Sequence, residues 1–330
     1  MKKIRIAQIG TSQYSHGTMI WRSLLKQSDI FEVVGYHFPE NEREKFPKEM
    51  AAFEGYRELT LEEILNDPTI EAVTVETEEI YLSKYALLAA QHGKYIHMEK
   101  PGGRELKDFE TLIDTVKQNR TVLHIGYMYR YNPAVQEAIA KAKSGVFGKI
   151  YCVEAQMSCP ESLDLRHWLN VFPGGMMFFL GCHLIDLVLQ IMGTPDAIVP
   201  LNSAIGYEGT TSQDYGMALL QYNGISSFVK TSGWELGGFE RRQLVICGTK
   251  GSMELKPLEW YTNKNLLQTL KRESHGTSWA EAGQLDQSEP VDRYDNMMAA
   301  FAAMVRGEKE NPYTPDYELE LYKTVLKCCQ

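Results

Sequence analysis

The chain has 330 residues, 44% of them hydrophobic and 23% charged, with a formal net charge of -9. Its length predicts two domains, and its composition is that of an ordinary globular protein. The acidic balance argues against nucleic acid or an anionic membrane surface as partner. Six cysteines show no metal-ligand spacing, and Cys328 and Cys329 are adjacent, an arrangement disulfide frameworks rarely use. We expect reduced thiols, no metal site and a cytoplasmic protein, since the opening MKKIRIAQIG runs straight into a strand pattern rather than a signal peptide.

In chain order, Ile4 to Ile9 reads as a strand that ends at Gly10, followed by a helix from about Gly17 to Gln27. Phe31 to Tyr36 is a second strand. A short helix at 61–65 is stopped by Asp67-Pro68, and Ala72 to Val75 is the third strand. A helix over 82–92 leads to a strand at 95–98, a helix over 105–119 and a strand at 122–126. Short β-branched runs alternating with helices predict a parallel, doubly wound sheet over residues 1–126. Asn132-Pro133 opens a helix as cap and first-turn proline.

From about 149 the pattern changes to strands near 149–157, 197–199, 214–222, 226–231 and 242–247. These predict an antiparallel or mixed sheet with one buried helix, Met176 to Met192, packed on it. That apolar run raises a membrane question, but His183, Asp186 and Gln190 interrupt it and it is slightly short for a bilayer. Residues 256–290 are polar and give no clear pattern. Helical regions near 293–306 and 316–328 are expected to pack back on the body.

Several residues point to chemistry. Lys100, in Glu99-Lys100-Pro101, stands at the carboxyl end of a strand, where an alternating fold opens its ligand crevice. A lysine held stiffly there can give or take a proton, because burial lowers its pKa readily; taken alone it also reads as a surface lysine before a turn proline. Gly10-Thr11-Ser12-Gln13-Tyr14-Ser15 occupies the phosphate-loop position. Gly10 supplies the tight turn, while Ser12 and Ser15 replace the other two diagnostic glycines. The second strand ends in Tyr36-His37-Phe38-Pro39, without the usual ribose-binding acid, and Glu40 is the nearest carboxylate. His37 could stack on adenine or bond a ribose, and Arg43 and Lys45 could meet a 2′-phosphate, so NAD and NADP both stay open. His183, Asp186 and Gln190 share one helix face, which suits either a ligand cleft or a buried structural network.

These residues together resemble the glucose–fructose oxidoreductase / inositol dehydrogenase (Gfo/Idh/MocA) family. The resemblance is carried by the first strand–turn–helix, by Glu99-Lys100-Pro101 and by Gly126-Tyr127-Met128-Tyr129-Arg130-Tyr131-Asn132-Pro133. Gly174-Gly175, Gly181-Cys182-His183-Leu184-Ile185-Asp186 and Gly193-Thr194-Pro195 follow in family order. It implies a Rossmann dinucleotide-binding domain over 1–126 and a substrate-binding and oligomerisation α/β domain with an open, mostly antiparallel sheet over 127–330, a nicotinamide cofactor, NAD or NADP, and hydride transfer to or from a sugar, sugar acid or cyclitol. It implies Lys100 and His183 as the catalytic pair. Cofactor contacts would come from Gly10, Thr11, Ser12, Gln13, Ser15, His37, Thr77, Glu99, Lys100 and Arg130. Substrate contacts would come from Tyr129, Asn132, Trp168, Phe179 and Asp186 besides the catalytic pair, and a homo-oligomer, dimer or tetramer, is implied. One departure stands out: many family dehydrogenases carry an Asp four residues before the catalytic His, and here that position is Phe179. A non-catalytic sensor, or a lyase or glycoside-cleaving enzyme using NAD transiently, are the competing expectations.

Overall fold

A computed structural model describes residues 2–263 and 266–330. It divides into two compact units, one of residues 1–127 and 294–322, the other of 128–293 and 323–330.

The first unit opens with β1 (Ile4–Ile9), α1 (Gly17–Lys26), β2 (Phe31–His37), a four-residue α2 (Glu42–Lys45) and α3 (Leu61–Asn66). It continues with β3 (Ala72–Val75), α4 (Leu82–Gln91), β4 (Tyr95–Met98), α5 (Leu106–Asn119) and β5 (Leu123–Ile125). The strands pair in parallel in the order β2-β1-β3-β4-β5. Helices cover both faces of such a sheet, so its strands are apolar on both sides, as the fully buried Ala72-Val73-Thr74-Val75 shows. Helix α1 inserts Ile20, Trp21 and Leu24, and Trp21 packs in a cluster with Tyr36 and Phe53. Thr60 and Glu63 close a capping box at the start of α3, each satisfying the other's backbone N–H.

The second unit holds α6 (Pro133–Ser144), β6 (Ile150–Ser158), α7 (Leu163–Trp168), α8 (Cys182–Met192), β7 (Ala197–Pro200), β8 (Tyr215–Tyr222), β9 (Ile225–Ser232), β10 (Gln243–Gly248) and β11 (Ser252–Leu255). Beyond these lie β12 (Trp260–Tyr261), β13 (Leu266–Gln268), β14 (Leu270–Ser274), β15 (Gln284–Gln287) and β16 (Val291–Asp292). Eight strands form one sheet in the order β15-β14-β11-β10-β6-β9-β8-β7, antiparallel except for β6 beside β9. Strands β12, β13 and β16 make a small separate sheet. Helix α9 (Asp295–Val305) and the first half of α10 (Pro315–Cys328) belong to the first unit.

The polar stretch without a readable pattern, 256–290, therefore contains strands. They are short, and β14 alternates Lys271, Arg272 and Glu273, which are held by ion pairs to Glu137, Glu254 and Lys141 rather than by apolar burial. The buried helix expected over Met176–Met192 differs in its first turn, where Met177–Gly181 winds as a π-helix before α8 begins. Gly174 and Gly175 adopt φ of 67° and 48°, and a Cβ at Gly175 would collide with the Gln213 carbonyl. The chain thus enters the helix by a close approach that an ordinary residue could not make.

Candidate active site

In the first unit the strand order reverses between β1 and β3, and ligands of open α/β sheets bind in the crevice beyond the carboxyl ends of such strands. The loops after β1, β2, β3 and β4 meet at that edge. Gly10 has φ of 83°, and a Cβ there would collide with Thr77, so the turn after β1 accepts only glycine. Thr11, Ser12 and Thr77 are buried. Ser12 Oγ accepts the Tyr14 and Ser15 amides at 3.2 and 2.9 Å, and Ser15 Oγ accepts those of Ser12 and Gly17 at 3.0 and 3.2 Å. The two serines therefore shape the loop from within, while Gln13 stays exposed.

Glu99 lies at the end of β4, 2% exposed. Its carboxylate accepts the His16 amide at 3.2 Å and lies 2.7 Å from His16 Nδ1, at the start of α1. Burial opposes its ionisation, but His16 and Lys100 outweigh that and hold the carboxyl well below its usual range. Lys100 is 1% exposed with its Nζ 3.8 Å from Glu99 Oε1. It is a buried cation beside a carboxylate, and the alternative of a solvated surface lysine is excluded.

Two further acids share this edge. Burial pushes Glu79 up to about 8, against the pull of Lys100. Burial, with repulsion from Glu99 and Glu79, pushes Glu76 well above its ordinary value, and Glu76 Oε1 lies 3.4 Å from His97 Nε2. His97 is lowered to about 4 by burial, so it is neutral, and its Nδ1 lies 2.6 Å from His124 Nδ1. Glu42 is the third unanticipated acid. Its buried carboxylate accepts the Thr11 amide at 2.9 Å and the Glu78 amide at 3.3 Å. Burial raises it to about 8 despite those two bonds.

The candidate adenosine contacts at the end of β2 are already engaged. His37 Nδ1 lies 2.9 Å from the Leu59 carbonyl. Glu40 accepts from Tyr85 at 2.7 Å and pairs with Lys84 at 2.5 Å. Arg43 pairs with Glu58 and Lys45 with Glu78.

In the second unit His183 sits in the first turn of α8, directly behind the π-helix, a distortion that often marks functional sites. It is buried, with the Tyr129 ring 5.8 Å away at 72°. Asp186, one turn on, takes a two-point bond from Arg130, 3.0 Å from Nε and 2.8 Å from Nη2, and a third from Gln190 at 2.9 Å. Arg130 and Asp186 thus form a buried ion pair, which gives each a structural task beside any contact with cofactor or substrate. Tyr129 donates its hydroxyl to Glu259 at 2.9 Å. The guanidinium groups of Arg293 and Arg242 flank Glu259 and hold its carboxyl low although burial opposes it. Asn132 caps α6, accepting the Ala134 and Val135 amides. Phe179 meets the edge of Trp168 at 5.5 Å, and Trp168 meets Phe172 at 4.8 Å. Arg166, beside Trp168 in sequence, is fully buried against Asp214 and Glu208 and lies under Trp234, so it is structural.

The sequence signals for the missed acids differ. Glu76 and Glu79 directly follow a fully buried strand at the switch point, which is readable in principle. Glu42 bonds an amide 31 positions away and left no local trace. Among the described residues no group of His, Cys, Asp and Glu is placed to hold a metal, and no helix is long and apolar enough to cross a membrane.

The oxidoreductase-family profile described as an NAD-binding Rossmann fold matches residues 4–127, and the GFO/IDH/MocA C-terminal domain profile matches residues 135–254. The chain belongs to the GFO/IDH/MocA oxidoreductase family. Its first unit is that family's NAD-binding Rossmann domain, joined to the mixed, mostly antiparallel sheet of the second. Among curated relatives, a scyllo-inositol 2-dehydrogenase (NAD(+)) of Bacillus subtilis is 26% identical over 58% of this chain and 56% of that protein. A trans-1,2-dihydrobenzene-1,2-diol dehydrogenase of Xenopus tropicalis is 25% identical over 60% of this chain and 59% of that protein. The matches thus span somewhat over half the length of these relatives. Among solved structures, a 3-ketoreductase from Actinomadura kijaniata in complex with NADP and TDP-benzene superposes with a TM-score of 0.79 at 16% identity, covering 98% of this chain and 96% of that one. An aldose-aldose oxidoreductase from Caulobacter crescentus gives 0.78 at 18% identity, covering 99% and 98%. Likeness at these identities speaks to fold.

Proposed function

We propose that this GFO/IDH/MocA member is an NAD(P)-dependent oxidoreductase acting on a hydroxyl or ketone of a sugar, sugar acid or cyclitol. The observation that carries the reading is Lys100, buried beside Glu99 at the carboxyl end of β4 in the Rossmann sheet. The residues fit a dinucleotide at several points. Gly10 gives a turn no other residue could adopt, Ser12 is small, and α1 begins directly behind the loop. Gly10, Thr11, Ser12, Gln13, Ser15, Thr77 and Glu99 would hold the cofactor, which when bound supplies the hydride acceptor or donor. In this reading His183 takes or returns the proton of the reacting oxygen at an imidazole nitrogen. Lys100 donates hydrogen bonds to the hydroxyls and favours the developing alkoxide. Trp168 and Phe179 offer an apolar wall for a ring face.

Two variants test this. Lys100→Met and His183→Asn should each abolish turnover of a substrate found by screening sugars, keto-sugars and cyclitols with NADH, NADPH and their oxidised forms. Full activity in both, with folding intact, would refute it. A second reading, a ligand or NAD(P) sensor, is favoured by Phe179, which puts an aromatic ring where many relatives keep a carboxylate. Measurable cofactor binding without hydride transfer to any of these compounds would select it. We further propose a cytoplasmic homo-oligomer, dimer or tetramer, to be read by light scattering. Its six cysteines are all free thiols.

A further inference from the structure

Backbone amides at the first loop and helix N-terminus of a Rossmann domain are what a dinucleotide's phosphates meet. In this chain those amides already have acceptors. Ser12 and Ser15 take four of them, the Glu99 carboxylate takes that of His16, and the Glu42 carboxylate takes that of Thr11. Glu42 differs from the serines because it comes from another element and crosses the crevice. One of its oxygens sits on the loop after β1, the other on the Glu78 amide in the loop after β3. These are the two loops that flank the switch point.

The segment that delivers Glu42 is held in an unfavourable backbone. Glu40 and Asn41, both non-glycine, have φ of 56° and 59°, a left-handed pair that costs energy at each residue. Such strain persists only where the surroundings enforce it. Here Glu40 is clamped by Lys84 and Tyr85 of α4, and Lys45, one turn past Glu42, pairs with Glu78 at 2.6 Å. The run from Glu40 to Lys45 is therefore a clasp, anchored on α4 and on the loop after β3, that presses one carboxylate into the crevice.

We infer that Glu42 is an internal competitor of the dinucleotide: its carboxylate holds amides at the crevice, and the cofactor binds only when that clasp releases. This rests on the proposed dinucleotide-dependent function and deepens it. The anionic pyrophosphate cannot take the Thr11 amide while a Glu42 carboxyl oxygen occupies it at 2.9 Å. Lengthening the separation between Glu42 and the loop, or removing the side chain, frees the amide.

The test is a titration of the whole protein with NADH and with NADPH, followed by calorimetry and nicotinamide fluorescence, for wild type, Glu42→Ala and Glu42→Gln. Freeing one hydrogen-bond donor for a phosphate is worth about tenfold in affinity, so Glu42→Ala should lower the NADH dissociation constant by about that factor. Glu42→Gln keeps one acceptor oxygen for two amides and should fall between. It also decides the matter if the alanine variant does not fold, which thermal unfolding will show. Binding in both variants equal to or weaker than wild type overturns the inference and leaves the proposed function standing. Absence of binding in all three proteins overturns the dinucleotide reading itself. Binding that appears only in the variants supports the inference directly.

Discussion

The substitution Glu79→Gln should make stability less dependent on pH above neutrality, and its size follows from burial. Glu79 is 1% exposed and burial raises its carboxyl from an ordinary 4.5 to about 8. A carboxyl raised by folding stabilises the folded state only while it keeps its proton. That contribution is complete below 4.5 and is lost as pH climbs through the folded value. His97 has the opposite sign: it is lowered from 6.5 to about 4, so its contribution is present above 6.5 and falls away in acid. The window from 6.5 to 8 is therefore free of the histidine. Across it, one carboxyl costs roughly 2 kcal/mol, at about 1.36 kcal/mol per pH unit. Glutamine holds the same shape without ionising. The gap between variant and wild-type stability should thus widen by roughly 2 kcal/mol between pH 6.5 and 8, an increase of about 4–8 °C in the midpoint difference for a unit of this size. Thermal unfolding of both proteins at half-unit steps measures it. A gap that stays constant across the window would show that Glu79 ionises freely in the folded protein, and the crevice would then be wetter than its burial indicates. Glu42 remains in the variant and keeps its own slope, since Glu79 is not among the groups that shift it.

Asp186→Asn should destabilise the second unit by about 3–5 kcal/mol, because Arg130, 1% exposed, would lose its two-point carboxylate partner; denaturant unfolding reads this, and a loss under 1 kcal/mol would show the pair to be dispensable. Thr60→Ala removes the acceptor for the Glu63 amide in the α3 capping box and should cost about 1 kcal/mol, seen in the same assay, with Thr60→Ser near wild type. Lys100→Met, beyond abolishing turnover, should leave the fold intact, since the Glu99 carboxylate keeps His16 as partner; loss of circular dichroism signal would show Lys100 to be structural instead.

The fold was legible because packing dictates it. The alternation of β1 through β5 with helices follows from strands buried on both faces, and Asn132-Pro133 marks a helix start through local hydrogen bonds. Elements whose stability comes from long-range ion pairs were not legible. Strand β14 carries three consecutive charged residues, and nothing in its local pattern announces the partners at Glu137, Glu254 and Lys141. The π-helix at Met177–Gly181 escaped for a related reason: its apolar residues satisfy a helical pattern, and the widened turn is set by Gly174, Gly175 and the Gln213 carbonyl. At the candidate site, Lys100 was singled out by its place at the end of a strand and His183 by sharing a helix face with Asp186 and Gln190. Arg130, Asn132 and Asp186 were named for ligands, yet each has a structural partner that sequence spacing does not reveal.

The two departures from family pattern, the serines at 12 and 15 and the phenylalanine at 179, have a common physical consequence. A glycine loop leaves its amides for a ligand, whereas Ser12 and Ser15 consume them. A carboxylate in place of Phe179 would present charge to a substrate, whereas the phenyl ring turns its surface to Trp168. In both places a group that would await a ligand is replaced by one satisfied within the chain. Carboxyl groups have not vanished from the first unit: Glu42, Glu76, Glu79 and Glu99 gather around the switch point, the first three raised by burial and Glu99 held low by His16 and Lys100. Anionic ligands must enter against that gathering, and buried carboxyls can yield to them by holding protons or by moving aside. For Glu79 the first route is measured by the widening of the stability gap above pH 6.5; for Glu42 the second is measured by the gain in NADH affinity on truncation. If the first effect is found and the second is not, Glu79 keeps its proton in the crevice and the Glu42 clasp is only a strut.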